Sequence, residues 1–497
     1  MIESNLPDIS PLSQLPRATW SEFGHRLREC GVDKEFGWAL WPGRLKVYEN
    51  LRQAIMIWRA RRLHEPKAIA YRIFVLHDPV SDQEAVAMLG SNLMRQLLSA
   101  GALVRTADKS VVSLFELRLF RNLYVLCDDV SHGGQAVFAA GPGTQAFPGL
   151  INSHTHVSRA LDLGCGAGAV ALWLSKHAEL VHATDINPRA LEFLKINAGI
   201  NEITNVEGFL GDWFAAVSGR QYDLILSQPP FVPCPPQTSA ATYRHGGRHG
   251  HETAQAVLRE APKFLAPNGR AMVVFEHPSF NDDERSGPQE ADWVCRSNVK
   301  TLLLLGRPVD ADAYSVRYAV SELKHGLDSF DTEAARMRDH LDALNIQGVH
   351  TAICILEATT GKGWFETVEA GEALWNEVSP DAVNRLFTGI SLVHEKPDLS
   401  LRAALELPSD SLVIQGFRSN DKKNEKILVA LPAGYIVQSL EFTAPEWEIL
   451  QHLMDGDSLV ASSPALTLQT ILKLLCAGVV DTQRAESMLA QSASSQN

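Results

Sequence analysis

Nothing in this 497-residue chain approaches eighteen consecutive apolar residues, which excludes a membrane-spanning helix and argues against a membrane partner. The opening MIESNLPDISPLSQLPR lacks a basic run followed by an apolar one, so no secretory leader is expected. Cysteine is sparse and scattered: Cys30, Cys127, Cys165, Cys234, Cys295, Cys354 and Cys476 form no C-x-x-C pair. That pattern argues against a disulfide framework and a structural zinc site, and points to a reduced, cytoplasmic chain. Positive charge is also short. With 45 Lys/Arg against 58 Asp/Glu, the net charge of −13 disfavours nonspecific binding to nucleic-acid phosphates. Apolar residues are plentiful at 45%, enough for sizeable cores, and the length suggests about three domains.

The acidic excess is uneven. Residues 1–150 hold 17 Lys/Arg and 15 Asp/Glu, leaving −15 on the remainder. The one dense basic stretch is Arg52, Arg59, Arg61, Arg62 and Lys67, which reads most simply as a solvated helix face. Helical patterns at Ala18–Cys30, Leu45–Leu63, Asp82–Leu89 and Ser91–Ala100 precede an alternating stretch, Val111–Cys127, expected to form a hairpin. Helices followed by a hairpin suggest a helical, winged-helix-like domain over 1–140. Ser131–Gly149, rich in glycine, is a candidate linker or ligand-lining loop.

From 141 to 360 apolar strands alternate with helices. Strands are expected at Ala160–Leu163, Leu180–Ala183, Val206–Phe209, Leu224–Ser227, Ala271–Phe275 and Thr351–Glu357, with helices beginning near Ala167, Pro188, Glu252 and Thr332. This is α/β, with a mostly parallel sheet covered on both faces. Ser279–Asp292 reads as a charged surface loop. The third block, 361–497, is expected to be mostly helical, from TAPEWEILQHLMDG and LTLQTILKLLCAGVVDT. Its LLCAGVVDT echoes LLSAGALVRT of the first block, leaving a second winged-helix-like unit open.

The chemistry concentrates in 160–276. In ALDLGCGAGAV a short strand and Asp162 are followed by Gly164, Gly166 and Gly168 and then a helix, the context in which glycines let backbone turn against a ligand. Asp185 ends the next strand, in HATDINPRAL, where a carboxylate can accept both hydroxyls of a ribose. Capping the helix begun at Pro188 is the structural alternative, and the nearby glycine loop favours the ligand. Asp212 and Trp213 in FLGDWF are placed to meet a base, or else form a turn and a core aromatic. The fourth strand ends in Gln228-Pro229-Pro230-Phe231, and the paired prolines impose an extended, rigid segment at the sheet's carboxyl edge.

In order and spacing, DLGCGAG, TDIN, GDW and QPPF resemble the class I S-adenosylmethionine (SAM)-dependent methyltransferases. More narrowly, they resemble the branch with an (Asn/Asp)-Pro-Pro-(Phe/Tyr) motif, which includes release-factor glutamine, small-subunit rRNA guanine and adenine amino-methyltransferases. The resemblance covers roughly 140–360 and implies a Rossmann-like sheet and SAM as cofactor. By this resemblance Asp162, Gly164, Gly166 and Gly168 would cradle the methionine portion, Asp185 the ribose, and Asp212 and Trp213 the adenine. Gln228 and Pro229 would accept hydrogen bonds from a planar nitrogen while Phe231 packs on its plane. Pro230, Tyr243, Arg244 and Glu252 would line the acceptor pocket.

One departure stands out. Gln228 occupies the place of the family's asparagine and is longer by a methylene, where an error of about 1 Å can cost about 100-fold in rate. The acidic balance favours a small molecule, amino acid or protein side chain as acceptor. An RNA modifier docking through the N-terminal block is the alternative, and a noncatalytic SAM-sensing DNA-binding protein is a third reading. His245, His249 and His251 lack a carboxylate–cysteine pattern, so no metal is assigned. Cys165 reads as a packing residue.

Overall fold

The structure, a computed structural model, describes residues 6–41, 51–129, 134–235, 244–280, 293–294, 298–320, 322, 326–371, 374–395, 416–418, 426–430, 437, 439–454, 470, 473–474 and 477. The expected charged loop after residue 280 and the echoed LLCAGVVDT segment lie largely outside the described residues.

The N-terminal block contains helices α1 (Arg17–Glu29), α2 (Arg52–Ala60), α3 (Pro66–Phe74), α4 (Asp82–Leu89) and α5 (Ser91–Ser99). A capping box starts α4: Glu84 N–H donates to Ser81 Oγ at 3.3 Å, and Ser81 N–H donates to the Glu84 carboxylate at 2.8 Å. The expected single hairpin over Val111–Cys127 is instead divided between two pairings. Strand β1 (Leu103–Arg105) pairs antiparallel with β2 (Val111–Ser113), and β3 (Glu116–Phe120) with β4 (Leu123–Cys127). The division comes from Ser113, whose hydroxyl accepts from Phe115 N–H at 3.1 Å and donates to Phe115 C=O at 2.7 Å, turning the chain out of the ladder.

The central sheet is built from β5 (Val157–Leu163), β6 (Ala178–Asp185), β7 (Val206–Leu210), β8 (Tyr222–Ser227), β9 (Leu265–Phe280), β10 (Val299–Leu305), β11 (Val309–Asp310), β12 (Ile346–Ala358) and β13 (Trp364–Glu369). Its order is β13-β10-β12-β9-β8-β5-β6-β7, with β11 pairing β12. Strands β5 to β9 run parallel, while β12 is antiparallel to both β9 and β10. Helices α6 (Ala169–Leu174), α7 (Pro188–Ile200), α8 (Glu252–Glu260), α9 (Ala311–Ala319) and α10 (Leu327–Ala343) connect them. The expected α/β alternation is therefore present, in a Rossmann-like arrangement. The six expected strands occur with longer bounds. Three more, β10, β11 and β13, escaped the pattern because a leucine run such as VKTLLLL does not distinguish strand from helix.

Both sheet faces are buried, and strand alternation sorts the side chains. Leu224, Leu226, Met272 and Val274 face the core shared with α6, α7 and the N-terminal helices. Ile225, Ala271, Val273 and Phe275 face α8, Phe214 and Trp293. The chain reverses direction across the sheet between β5 and β8: from β5 it winds outward to β6 and β7, then returns to the other side of β5. Open α/β sheets bind ligands in the crevice at the carboxyl ends of such strands.

The N-terminal block is fastened to this sheet. A Cβ on Gly24 of α1 would lie 1.9 Å from Ile200 O of α7, so the two helices approach backbone to backbone. Arg17 donates to Ile203 O at 2.6 Å, and Arg28 pairs with Glu202 at 3.1 Å. The fully buried Asn197 side chain accepts from Leu126 N–H at 2.8 Å and donates to Leu126 O at 2.8 Å and Ala167 O at 2.9 Å. Arg189 forms a fork on buried Asp128 at 2.8 and 2.6 Å.

Beyond residue 360, β13 joins the sheet edge through β10, and helix α11 (Pro380–Glu395) packs Phe387 against Trp364 at 5.0 Å. The sheet thus continues past the expected domain boundary. The C-terminal part expected to be mostly helical also contains a three-stranded antiparallel sheet, β14 (Gly416–Arg418), β15 (Lys426–Ala430) and β16 (Ser439–Thr443), before helix α12 (Ala444–Met454).

Candidate active site

A cavity of about 770 Å³ opens at the carboxyl ends of β5, β6 and β8, within the range of about 300–1,000 Å³ usual for small-molecule sites. The loop from Ala136 to Thr144 forms one wall, so the glycine-rich segment between the first two blocks lines a ligand space.

At one end the chain presents backbone. Gly164, Gly166 and Gly168 all adopt left-handed φ angles, of 79°, 52° and 88°. A Cβ on Gly166 would sit 2.7 Å from Phe138 O, and Ala167 N–H donates to that same carbonyl at 3.0 Å. Gly164 and Gly166 line the cavity. Gly168 does not: its missing Cβ makes room for Leu194 of α7, 2.4 Å from where that atom would be, so it seats α6 rather than a ligand.

Carboxylates organise this loop. Asp185 at the end of β6 accepts from Gly166 N–H and Asn187 N–H, each at 2.9 Å. The cap of α7 is Asn187, whose side chain accepts from Arg189 N–H at 3.0 Å, so Asp185 does not cap that helix. Burial raises the Asp185 carboxyl pKa against those two N–H bonds. Asp162 accepts from Ala171 N–H at 2.8 Å, and burial pushes its carboxyl up to about 7. Thr184 Oγ is buried without a partner among the described residues and lines the same space. Asp212 and Trp213 line it too, with Trp213 held at φ 45°, an uncommon conformation for a bulky side chain. Cys165 is buried and its thiol pKa lies well above the ordinary value through desolvation, which fits a packing residue.

At the other end stand Gln228, Pro229, Pro230 and Phe231. Gln228 Oε1 accepts from Thr144 Oγ at 2.7 Å, and Thr144 Oγ in turn accepts from Gly141 N–H at 3.0 Å. A Cβ on Gly143 would fall 2.6 Å from Gln228 Nε2. The extra methylene therefore has a visible purpose: it carries the amide to the 136–147 loop. Thr253 Oγ donates to Pro230 O, and the Phe231 ring lies 5.8 Å from that of Trp375 in the short helix Leu374–Glu377. The segment after Phe231 is clamped by the glycine loop, with Val232 N–H donating to Arg244 O at 2.9 Å and Gly246 N–H donating to Val232 O at 3.0 Å.

Of the expected acceptor residues, Arg244 lines the cavity, as does His245. Tyr243 lies outside the described residues. Glu252 does not line the cavity: its carboxylate accepts from His249 N–H at 2.8 Å and contacts His249 Nδ1 at 2.9 Å, so it braces the loop. His249 and His251 stack at 5.7 Å, and no metal-holding group of three His, Cys, Asp or Glu occurs among the described residues.

Sequence reasoning missed Thr144, Glu276, Tyr314, Arg317, Tyr318, Thr351 and Trp375, all of which line the cavity. Glu276 is 5% exposed and accepts from Tyr314 Oη at 2.8 Å and Arg317 Nη2 at 2.6 Å. Burial raises its carboxyl pKa, with Arg317 the strongest opposing influence. Only the run FEH after an apolar strand hinted at a functional carboxylate there; nothing local marks the others.

Residues 134–280 match the family model of the methyltransferase small domain. The chain is 35% identical over 131 residues to a ribosomal protein uL3 glutamine methyltransferase of Bradyrhizobium diazoefficiens, covering 24% of this chain and 41% of that protein. It is 32% identical over 127 residues to a release factor glutamine methyltransferase of Aquifex aeolicus, covering 23% and 45%. With ribosomal RNA small subunit methyltransferase C of Klebsiella pneumoniae it shares 31% identity over 134 residues, covering 27% and 35%. The chain spans less than half the length of each of these relatives.

Proposed function

We propose that this chain, whose residues 134–280 match the methyltransferase small domain, is a class I methyltransferase that transfers a methyl group from SAM to a nitrogen of a small molecule, amino acid or protein side chain. The observation that carries the reading is the convergence of the Gly164–Gly166 turn, Asp185 and Gln228-Pro229-Pro230-Phe231 on one cavity at the point where the strand order reverses. When bound, SAM supplies a methyl group already activated on a sulfonium. The residues fit it: Asp185 and the unpartnered Thr184 hydroxyl present acceptors to a ribose, and Asp162, Asp185 and Asp212 make that end acidic, suited to a cation.

The chain's own contribution to the chemistry is positional. A conjugated nitrogen has a delocalised lone pair, so it needs acceptors that orient its N–H groups and stabilise the charge it develops. Gln228 Oε1 serves as one acceptor, with Thr144 fixing its direction, and Pro229 C=O as the other. Orientation of this kind can contribute about 7–11 kcal/mol. Gln228, held by Thr144 inside the cavity, favours an enzyme over a noncatalytic sensor. The relatives named for glutamine methylation support a nitrogen acceptor.

The test is calorimetric titration of SAM and S-adenosylhomocysteine (SAH), then radiolabelled methyl transfer to small-molecule, protein and RNA fractions. Micromolar binding with label in one fraction is expected. No binding removes the reading, and binding without any transfer favours the sensor. Gln228→Ala should lower turnover by about 100-fold while leaving SAM affinity nearly intact.

An RNA acceptor is the second reading. It is favoured by α2, where Trp58 is 59% exposed with Arg62 stacked 4.4 Å over it. The succession α4, α5 and the β1–β2 hairpin, with Val80 bridging to Val111, supports a winged-helix-like unit. In this reading acceptor affinity falls steeply with salt.

A further inference from the structure

The acceptor end of the cavity contains more positive charge than its one carboxylate neutralises. Arg244, Glu276 and Arg317 line it together with Tyr314 and Tyr318. Glu276 is committed: one oxygen accepts from Tyr314 Oη at 2.8 Å and the other from Arg317 at 2.6 Å. Arg317 also lies over the Tyr314 ring at 4.9 Å, so the three side chains hold one another. Arg244 is held differently. Its guanidinium lies 4.9 Å over the Tyr318 ring; it forms no salt bridge with a carboxylate among the described residues, though its charge acts on nearby Glu276 and lowers that carboxyl's pKa. Its backbone is fixed beside the reactive segment, since Val232, one residue past Phe231, donates to Arg244 O at 2.9 Å.

A guanidinium lying over a tyrosine ring still has N–H groups to present as a fork to a carboxylate. Two guanidiniums and one carboxylate sum to a single positive charge. That matches a monoanion, while the buried Glu276 beside it repels the second charge of a phosphate. Resting on the methyltransferase reading above, we infer that Arg244 anchors a free carboxylate of the acceptor, which is therefore an amino-acid-like molecule or a chain terminus rather than an internal amide of a folded protein. Arg244 is a specificity residue: it selects the molecule whose nitrogen reaches Gln228. The stacked Tyr318 positions it.

The experiment uses the full chain saturated with SAH and the probes L-glutamine and L-asparagine, each against its α-carboxamide, by calorimetry. At least one free acid should bind tenfold or more tightly than its carboxamide. Arg244→Gln should erase that preference, and Arg244→Lys should retain part of it. Unchanged SAH affinity in both variants serves as the folding control. Equal binding of acid and carboxamide, failure of both acids to bind, or a preference that survives Arg244→Gln overturns the inference. Failure of SAH itself to bind overturns the methyltransferase reading instead, so the two failures are distinguishable.

Discussion

The two ends of the cavity are made in different ways. The end proposed to hold the cofactor depends on backbone conformation: a glycine turn whose N–H is fixed by a carboxylate, with acidic residues at or just past the ends of adjacent parallel strands, all within Asp162–Trp213. The other end is made of side chains drawn from Thr144, Gln228, Arg244, Glu276, Arg317 and Trp375, from ahead of β5 to a helix beyond β13. A backbone site depends on local conformation and tolerates little change. A side-chain site depends on packing between distant segments and can be reshaped residue by residue. That difference explains how a glutamine can stand where the family has an asparagine: Thr144 and the space above Gly143 receive the longer amide.

The largest effect should come from breaking the backbone end. Asp185→Ala removes the acceptor for Gly166 N–H and Asn187 N–H and, with it, the proposed ribose partner. SAM affinity should fall by about 100-fold or more, equivalent to about 3 kcal/mol. Unchanged affinity by calorimetry would discard the ribose assignment.

Asn197→Ala comes next. It strips partners from Leu126 N–H, Leu126 C=O and Ala167 C=O, so about 2–3 kcal/mol of folding stability should be lost. Urea unfolding checks this, and a loss below about 0.5 kcal/mol would show that the N-terminal block does not prop the glycine loop.

Thr144→Val sharpens the contrast at the other end. Losing the hydroxyl that orients Gln228 and accepts from Gly141 N–H should reduce turnover about tenfold with SAM affinity unchanged, since neither bond touches the Gly164–Gly166 turn or Asp185. An equal loss in SAM affinity would merge the two ends into one.

The smallest effect is electrostatic. Asp162 is pushed up to about 7 by burial, so the ligand-free fold holds its proton more tightly than the unfolded chain does. That contribution to stability is complete below about pH 4 and is lost as the pH rises through about 7. A cationic cofactor favours the ionised carboxyl, so SAM binding at pH 6 should release a fraction of a proton and tighten a few-fold by pH 8. Calorimetry in two buffers of different ionisation enthalpy measures the proton directly. Buffer independence, or release that persists in Asp162→Asn, would refute the assignment.

The same contrast governs what could be read from the chain. Strands β5, β6 and β8 were legible because short continuous apolar runs end in residues with special backbone roles. Gly168 was misassigned because its glycine signature is identical whether the missing Cβ makes room for a ligand or for Leu194. Glu252 was misassigned for a related reason: a carboxylate on the loop after the Pro-Pro segment looks the same whether it faces the cavity or binds His249. The Val111–Cys127 alternation held enough strand signal for one hairpin, and only the Ser113–Phe115 turn divides it.

The sequence by itself determined the parallel strands β5 to β9, the position of the glycine turn and the acidic residues beside it, because those depend on local backbone preference and on spacing along one continuous segment. Tertiary structure alone decided that Gln228 would be held by Thr144, that Glu276 would be taken up by Tyr314 and Arg317, and that Arg244 would stack on Tyr318. Those partners lie tens of residues apart, and their meeting depends on strand order and helix packing, for which no local pattern is diagnostic.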